Sequence, residues 1–569
     1  MSFCYNSLHL FKSQYSYTFE PTTADASLQR ESLVIRRNDG NVSLNGILSL
    51  TSPTVSNSGP GRTRNHLIII TGKTKIGNYQ EHEIFKIQGV ELLPINRNYN
   101  ITESQKQDDA KYLEMVHKLM ELDYYFSYTK DITRSVQSGL YVNKSAPLWQ
   151  QADDRFYWNR YLQTQLIELT EHEPDQNLSR FILPVICGFC HISELNFTYI
   201  LISRRNKYRS GARYHCRGID EQANVANFVE TEQILVTRDA IRSYVQTRGS
   251  IPLFWRQEVG LKYKPKLVLD NRSETENLFR QHFNKLFQQY GPQIAINLIN
   301  KDGYEKPLGD EFERQAFLMN DERLKYIHFD FHHECRKMQW HNISKLIQSI
   351  EQDLITQSYC KIVGDKVSRQ LSTTRTNCID CLDRTNVVQS ILAKRMLEIQ
   401  LREEGVLSDI DGLETLEFYK KFQNVWSDNA DAISTQYSGT GVVQDVGISI
   451  TRYVKNHYLD GFRQDGFDLI LGIYSIEQTS PFIKKPQDTL YTVFFGLLVT
   501  LITIIFTLQS QTFYQFLIRF VLAVGAIYMC SRLLNDHQHD LVSLPQLIKP
   551  KVKREYSAVD QWQNTLKQL

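Results

Sequence analysis

The chain has 569 residues, 41% of them hydrophobic and 22% charged, with a net charge of +2. That length exceeds one hydrophobic core, so two or three folded units are expected, and the near-neutral balance carries no nucleic-acid signal. Nine cysteines lie scattered without a disulfide framework, and residues 1–30 hold no apolar run behind a basic start; no secretory signal is expected, and a reducing cytosol suits the body of the chain.

The first region, 1–180, mixes short strands with helix. Leu33-Val-Ile-Arg-Arg and His66-Leu-Ile-Ile-Ile-Thr71 read as strands, Ser52 to Arg64 as a loop, and Asp108 to Met120 as a helix. No residue set in it demands chemistry, so it reads as a packing or targeting subdomain. The second region, 181–475, opens with an apolar strand, Phe181 to Cys190, and alternates apolar runs with helical spacing, which predicts a mixed α/β core.

Three groups in this second region invite a chemical reading. Ser203 to Arg217 carries Arg204, Arg205, Lys207, Arg209, Arg213 and Arg217 with no acid among them; a solvated loop competes there with a basic surface for a polyanionic substrate or an anionic membrane. Cys187/Cys190 and Cys378/Cys381 form two Cys-x2-Cys pairs, but they lie far apart and the first sits in an apolar strand, so buried thiols are expected before a zinc site. His328-Phe-Asp-Phe-His-His-Glu334 alternates like a strand ending near an active centre, and no metal is assigned to it.

The stretch Arg375-Thr-Asn-Cys-Ile-Asp-Cys-Leu-Asp-Arg-Thr-Asn386 says most about function. Cys378 and Arg384 stand at the ends of a Cys-x5-Arg loop with Thr385 directly after, a spacing that can wrap one phosphate group. Val388, Ile391, Leu392 and Met396 follow at helical spacing, so the loop feeds a helix N-terminus whose free N–H groups and dipole favour anions and a thiolate at Cys378. In this reading Cys378 is the nucleophile, Arg384 grips two phosphate oxygens, and the N–H groups from Ile379 through Cys381 and Leu382 to Arg384 line the cradle. The Thr385 hydroxyl can donate to the sulfur. Redox chemistry at Cys378/Cys381 gives no reason for the arginine or the threonine.

After a short linker, 476–489, containing Pro481 and Pro486, the chain turns apolar. Leu490 to Leu508 has no charge, and a second run, Phe513 to Cys530, includes Gln515 and Arg519. Two transmembrane helices over 490–530 are expected, with Lys484 and Lys485 before them and Arg532, Lys549, Lys551, Lys553 and Arg554 after, which keeps both flanks and the basic tail 531–569 cytosolic.

The Cys378 loop resembles the signature of the Sac-domain phosphoinositide phosphatases. Gln246-Thr-Arg-Gly-Ser-Ile-Pro-Leu-Phe-Trp255, Trp426-x-Asp-Asn-Ala-Asp431, Gln436-Tyr-x-Gly-Thr-Gly441 and Asp460-Gly-Phe-Arg-Gln-Asp465 resemble the same family, and the closing apolar pair resembles its membrane-anchored branch. In one place the chain departs: the family continues after Gly441 through a basic, Thr-rich stretch, whereas Val442 to Tyr453 here joins the two motifs directly. The resemblance implies a lipid phosphatase on the cytosolic face of endoplasmic reticulum and Golgi membranes, acting on phosphatidylinositol 4-phosphate and also the 3-phosphate, with no cofactor. By analogy with the myotubularin loop, Asp383 is the first candidate for the acid that protonates the leaving inositol oxygen; Asp380 is the second, and Asp330 is an outside alternative. A catalytically weak lipid-binding scaffold is the alternative reading, opposed by the intact Cys378, Arg384 and Thr385 set.

Overall fold

The computed structural model describes residues 3–5, 8–12, 16–21, 33–36, 47–51, 63–94, 103–172, 178–336, 342–474, 482, 487–509 and 512–547. Most of the Ser52–Arg64 loop, both prolines of the linker and the lysines of the tail lie outside these residues.

Among the described residues the main sheet has 13 strands. Along its path run Leu324–His328, Gln293–Asn297, Thr373–Asn377, Ile241–Arg248, Val229–Val236, Thr198–Arg205, Ile186–Glu194, Tyr124–Phe126, His82–Pro94, Thr63–Tyr79 and Ile47–Thr51. The first four of these are mutually parallel and the rest antiparallel. Parallel strands need helical crossovers that cover them, which is why Gln-Ile-Ala-Ile-Asn at 293–297 is buried at every position. Helix Lys306–Met319 makes one such crossover, and helix Asp383–Glu403 leaves the end of Thr373–Asn377.

Several expected elements shift at their edges. The helix expected at Asp108–Met120 begins earlier, at Glu103. The apolar run from Phe181 becomes a regular strand only at Ile186, because a one-turn 3-10 helix at Ser179–Phe181 and then Pro184, which has no N–H to give a ladder, precede it.

Helices Gln487–Leu508 and Phe513–Asp536 pack antiparallel: Thr500 Oγ1 donates to the Ala526 carbonyl at 3.3 Å, and Arg519 Nη1 to the Phe506 carbonyl at 2.9 Å. Phe513–Asp536, at 24 residues, is long and apolar enough to cross a membrane, while the apolar part of its partner, Thr492–Leu508, is shorter. Two spans were expected. Among the described residues one helix reaches the length, because the second run continues helically through Ser531 to Asp536. Arg519 lies over the Phe506 ring at 4.0 Å, which gives a charge within an apolar helix a local partner.

Candidate active site

Strand Thr373–Asn377 sits between Ile241–Arg248 and Gln293–Asn297 and delivers the next residue, Cys378, to the carboxyl end of the parallel strands, where α/β sheets bind ligands. The Leu298 amide donates to the Asn377 carbonyl at 2.8 Å and fixes that exit. Cys378 is 3% exposed, packed among Ile296, Leu298, Phe331, Val388 and Leu392. Residues 379–382 turn, and a helix starts at Asp383.

Cys381 holds a left-handed backbone with φ 55°, which costs a non-glycine residue about 1–2 kcal/mol. The strain accompanies a tight loop: the N–H groups of Ile379, Asp380, Cys381 and Leu382 make no hydrogen bond among the described residues. Unspent donors beside a helix N-terminus form an anion cradle. Burial pushes the Cys381 thiol up to about 12, with the neighbouring Cys378 sulfur adding to it, so Cys381 stays a thiol at neutral pH.

Asp380 is engaged by two arginines. Its carboxylate accepts from Arg213 Nε at 3.0 Å, Arg213 Nη2 at 2.6 Å and Arg217 Nη2 at 2.5 Å. Burial opposes its ionisation, but the two guanidiniums outweigh burial and hold the carboxyl well below the usual carboxylate range. Asp380 is therefore a charged strut for the loop, with no proton to give.

Asp383 has the contrary environment. Its Oδ1 is buried without a hydrogen-bond partner, although the side chain as a whole is 47% exposed, and Arg452 Nη1 lies 3.7 Å from Oδ2. Burial raises its carboxyl above the usual range, while Arg452 pulls the other way and Asp380 adds to the rise.

Arg384 is locked. Nη1 donates to Glu305 Oε2 at 3.0 Å and to the Leu298 carbonyl at 3.1 Å, and Nη2 donates to Glu305 Oε1 at 2.8 Å. Its Nε–H makes no hydrogen bond among the described residues, so that edge of the fork remains for a ligand. The Thr385 hydroxyl is fully buried and makes no hydrogen bond among the described residues, so the expected donation to the Cys378 sulfur is not made in this conformation.

The expected basic surface at Ser203–Arg217 is corrected. Arg204, Arg205 and Arg217 are at most 2% exposed. Arg204 pairs with Glu230 at 2.9 Å and Glu232 at 2.7 Å on the adjacent strand; Arg205 donates to the Gln436 and Gly211 carbonyls; Lys207 pairs with Asp154; Arg209 donates to the Arg217 carbonyl. The charge run looked uncompensated because its acids lie elsewhere in the sequence. Arg213 and Arg217 reach the site, but as holders of Asp380.

The His328–Glu334 segment is also structural. His328 Nε2 meets the Ile299 carbonyl at 3.0 Å, and Asp330 accepts from the His333 and Lys301 amides, both at 2.9 Å. Among the described residues no group of three His, Cys, Asp or Glu is placed to hold a metal.

Three residues at the site were not read from the sequence. Glu305 and Arg452 are distant in sequence and carry no local pattern. Arg248 ends the strand beside the loop, paired in register with Thr376; it is 0% exposed, and its Nε and Nη1 have no hydrogen-bond partner among the described residues, while Nη2 donates to Asn386 Oδ1 at 3.2 Å. Burial lowers its guanidinium to about 10, with the Cys381 and Cys378 sulfurs opposing the drop, so it is charged at neutral pH. The Gln246-Thr-Arg-Gly motif contained the signal, but not its direction.

A family model described as the SacI homology domain matches residues 59–336. The zebrafish (Danio rerio) protein named phosphatidylinositol-3-phosphatase SAC1-A is 39% identical over 446 residues, covering 73% of this chain and 75% of that protein. The chain belongs to the Sac1-type phosphoinositide phosphatase family. Its Saccharomyces cerevisiae relative, phosphatidylinositol-3-phosphatase SAC1, is 36% identical over 499 residues, 81% of this chain and 78% of its own. The Arabidopsis thaliana phosphoinositide phosphatase SAC7 is 36% identical over 453 residues, 74% of each chain. In this Sac-family chain the Cys378 loop thus stands on a fold whose relatives are named for phosphoinositide hydrolysis.

Proposed function

We propose that this chain hydrolyses a phosphate monoester of a membrane phosphoinositide through a cysteinyl-phosphate on Cys378. One observation carries the reading: Cys378 opens a loop whose N–H groups at 379–382 are unspent among the described residues, and which leads to an arginine already paired with Glu305. The Cys378 thiolate attacks phosphorus in line, forming the S–P bond as the bond to the inositol oxygen breaks. The Arg384 Nε edge and the N–H groups of Ile379, Cys381 and Leu382 bind the equatorial oxygens, whose charge grows in the transition state. The Arg248 guanidinium adds a buried positive charge beside the thiolate.

Asp383 protonates the departing inositol oxygen, which its raised carboxyl suits; Asp380, ionised against two arginines, does not serve. The Asp383 carboxylate then takes a proton from the water that cleaves the S–P bond, restoring thiolate and acid. Arg452, 3.7 Å from Asp383 Oδ2, is the charged neighbour that steadies this carboxyl.

The 4-phosphate is our proposed substrate, from the family resemblance. The 3-phosphate is its competitor, since the zebrafish and yeast relatives are named for that position. We also place the paired apolar helices across endoplasmic reticulum and Golgi membranes with the catalytic body cytosolic; Lys484, Lys485 and Arg532 flanking them support that side. The test is phosphate release by the full-length protein in vesicles from each monophosphate isomer. Faster release from the 4-phosphate supports the assignment, faster release from the 3-phosphate reassigns the position, and no release from any isomer favours the scaffold reading.

A further inference from the structure

Helix Val446–Tyr458 has two unlike faces. Arg452, Asn456 and His457 are buried against the catalytic body, and Arg452 reaches Asp383. Val446 at 74% exposed, Ile450 at 59%, Val454 at 44% and Tyr458 at 43% form an apolar stripe at four-residue spacing on the outside. Val443 just before the helix and Leu459 just after it lengthen the stripe. A monomeric soluble surface rarely leaves so regular an apolar row uncovered.

The surroundings say what covers it. Loop residue Tyr263, 63% exposed, stacks on Tyr453 at 6.2 Å between ring centroids and meets Ser449 Oγ at 3.0 Å, so it stands beside the stripe. Lys262, Lys264 and Lys266 around it are all exposed, while Asp445 is committed to capping the helix at the Ile448 amide. Basic and aromatic groups rimming an apolar row are the composition of an interfacial membrane helix.

The apolar helix Phe513–Asp536 is tied to this same corner. Directly after it, the Gln538 side chain lies against Gly260, Val542 packs with Tyr214 and Val259, and the Ser543 amide donates to the His457 carbonyl at 2.7 Å. The end of the helix long enough to cross a membrane is therefore held within a few residues of the stripe and of the lysine loop.

We infer that helix Val446–Tyr458 docks on the bilayer surface, inserting Val446, Ile450, Val454 and Tyr263 among the lipids while Lys262 and Lys264 meet anionic headgroups. Docking sets the distance between the bilayer and the Cys378 loop with Asp383, because the same helix carries Arg452 on its inner side. The activity arm of the test rests on the proposed phosphatase reading; the fluorescence arm does not.

The full-length protein is reconstituted in phosphatidylcholine/phosphatidylserine vesicles. An Ile450→Trp variant is compared with wild type in vesicles whose acyl chains carry bromine, and the added fluorescence is quenched if the residue enters the bilayer. In parallel, Ile450→Ser/Val454→Ser is assayed on a long-chain phosphoinositide in the same vesicles and on a water-soluble short-chain one. Docking predicts quenching of the added tryptophan and a loss of about tenfold or more on the vesicle substrate, with short-chain turnover unchanged. No quenching, or equal turnover of both substrates relative to wild type, overturns the proposal and leaves the stripe as a face for a protein partner. A wild type inactive on both substrates refutes the phosphatase reading, and the quenching then decides docking by itself.

Discussion

Replacing Glu305 with glutamine isolates the contact that orients Arg384. The pair makes two charge-assisted hydrogen bonds, at 3.0 and 2.8 Å, between side chains only 10% and 9% exposed. Such bonds contribute about 1.5–3 kcal/mol each. Glutamine keeps one acceptor, so the variant loses one bond and the opposing charge, a cost of about 2–3 kcal/mol in the placement of the guanidinium. At about 1.4 kcal/mol per factor of ten, kcat/KM falls roughly 30- to 150-fold if that placement is realised in the transition state. Phosphate release from a short-chain phosphoinositide measures this, with thermal unfolding as the control for folding. A kcat/KM within about threefold of wild type in a folded variant refutes the orienting role. A rise in activity would mean that Glu305 restrains Arg384 and must release it.

Asp383→Asn removes the proposed acid, so turnover of a phosphoinositide falls by about 100-fold or more while an aryl phosphate with an activated leaving group loses much less; equal losses on both would reject Asp383 as the acid. In wild type the protonated acid is the working form, so activity declines as pH rises through its raised value, and that limb disappears in the variant. Asp380→Asn leaves the buried Arg217 and the partly buried Arg213 guanidiniums facing a neutral group and destabilises the protein by about 3 kcal/mol at pH 7, the low end for a fully buried pair. Because the Asp380 carboxyl is depressed in the fold, its contribution is present above the unfolded carboxylate range near about pH 4 and is lost as pH falls. The stability gap between wild type and variant therefore narrows in acid, and a gap independent of pH contradicts the pairing.

The sequence carried the helix that follows Cys378 because its signal is local. Cys378, Arg384 and the periodic Val388, Leu392 and Met396 fall within one stretch whose spacing dictates a turn and an amphipathic helix. It carried the mixed α/β class for the same reason. What it hid was pairing at long range. Arg204 and Arg217 read as surface charge until Glu230, Glu232 and Asp380 are brought beside them, and Glu305, which fixes Arg384, sits in an unremarkable one-turn helix. The loop analogy ranked Asp383 before Asp380 as the proposed acid, but the pairing of Asp380 with Arg213 and Arg217, far off in sequence, was beyond a local reading. The apolar stripe beyond Gly441 is periodic in the sequence, but periodicity alone predicts a buried face, and its exposure is a tertiary fact.

The nucleophile is tested by rapid acid quench of the full-length enzyme during turnover of a phosphoinositide, followed by mass spectrometry of the peptide containing Cys378. A phosphate adduct on Cys378 that forms and decays with turnover, and that is absent along with activity in Cys378→Ser, is the expected result. Turnover that survives in Cys378→Ser above a few per cent, or an adduct on another residue, contradicts the mechanism.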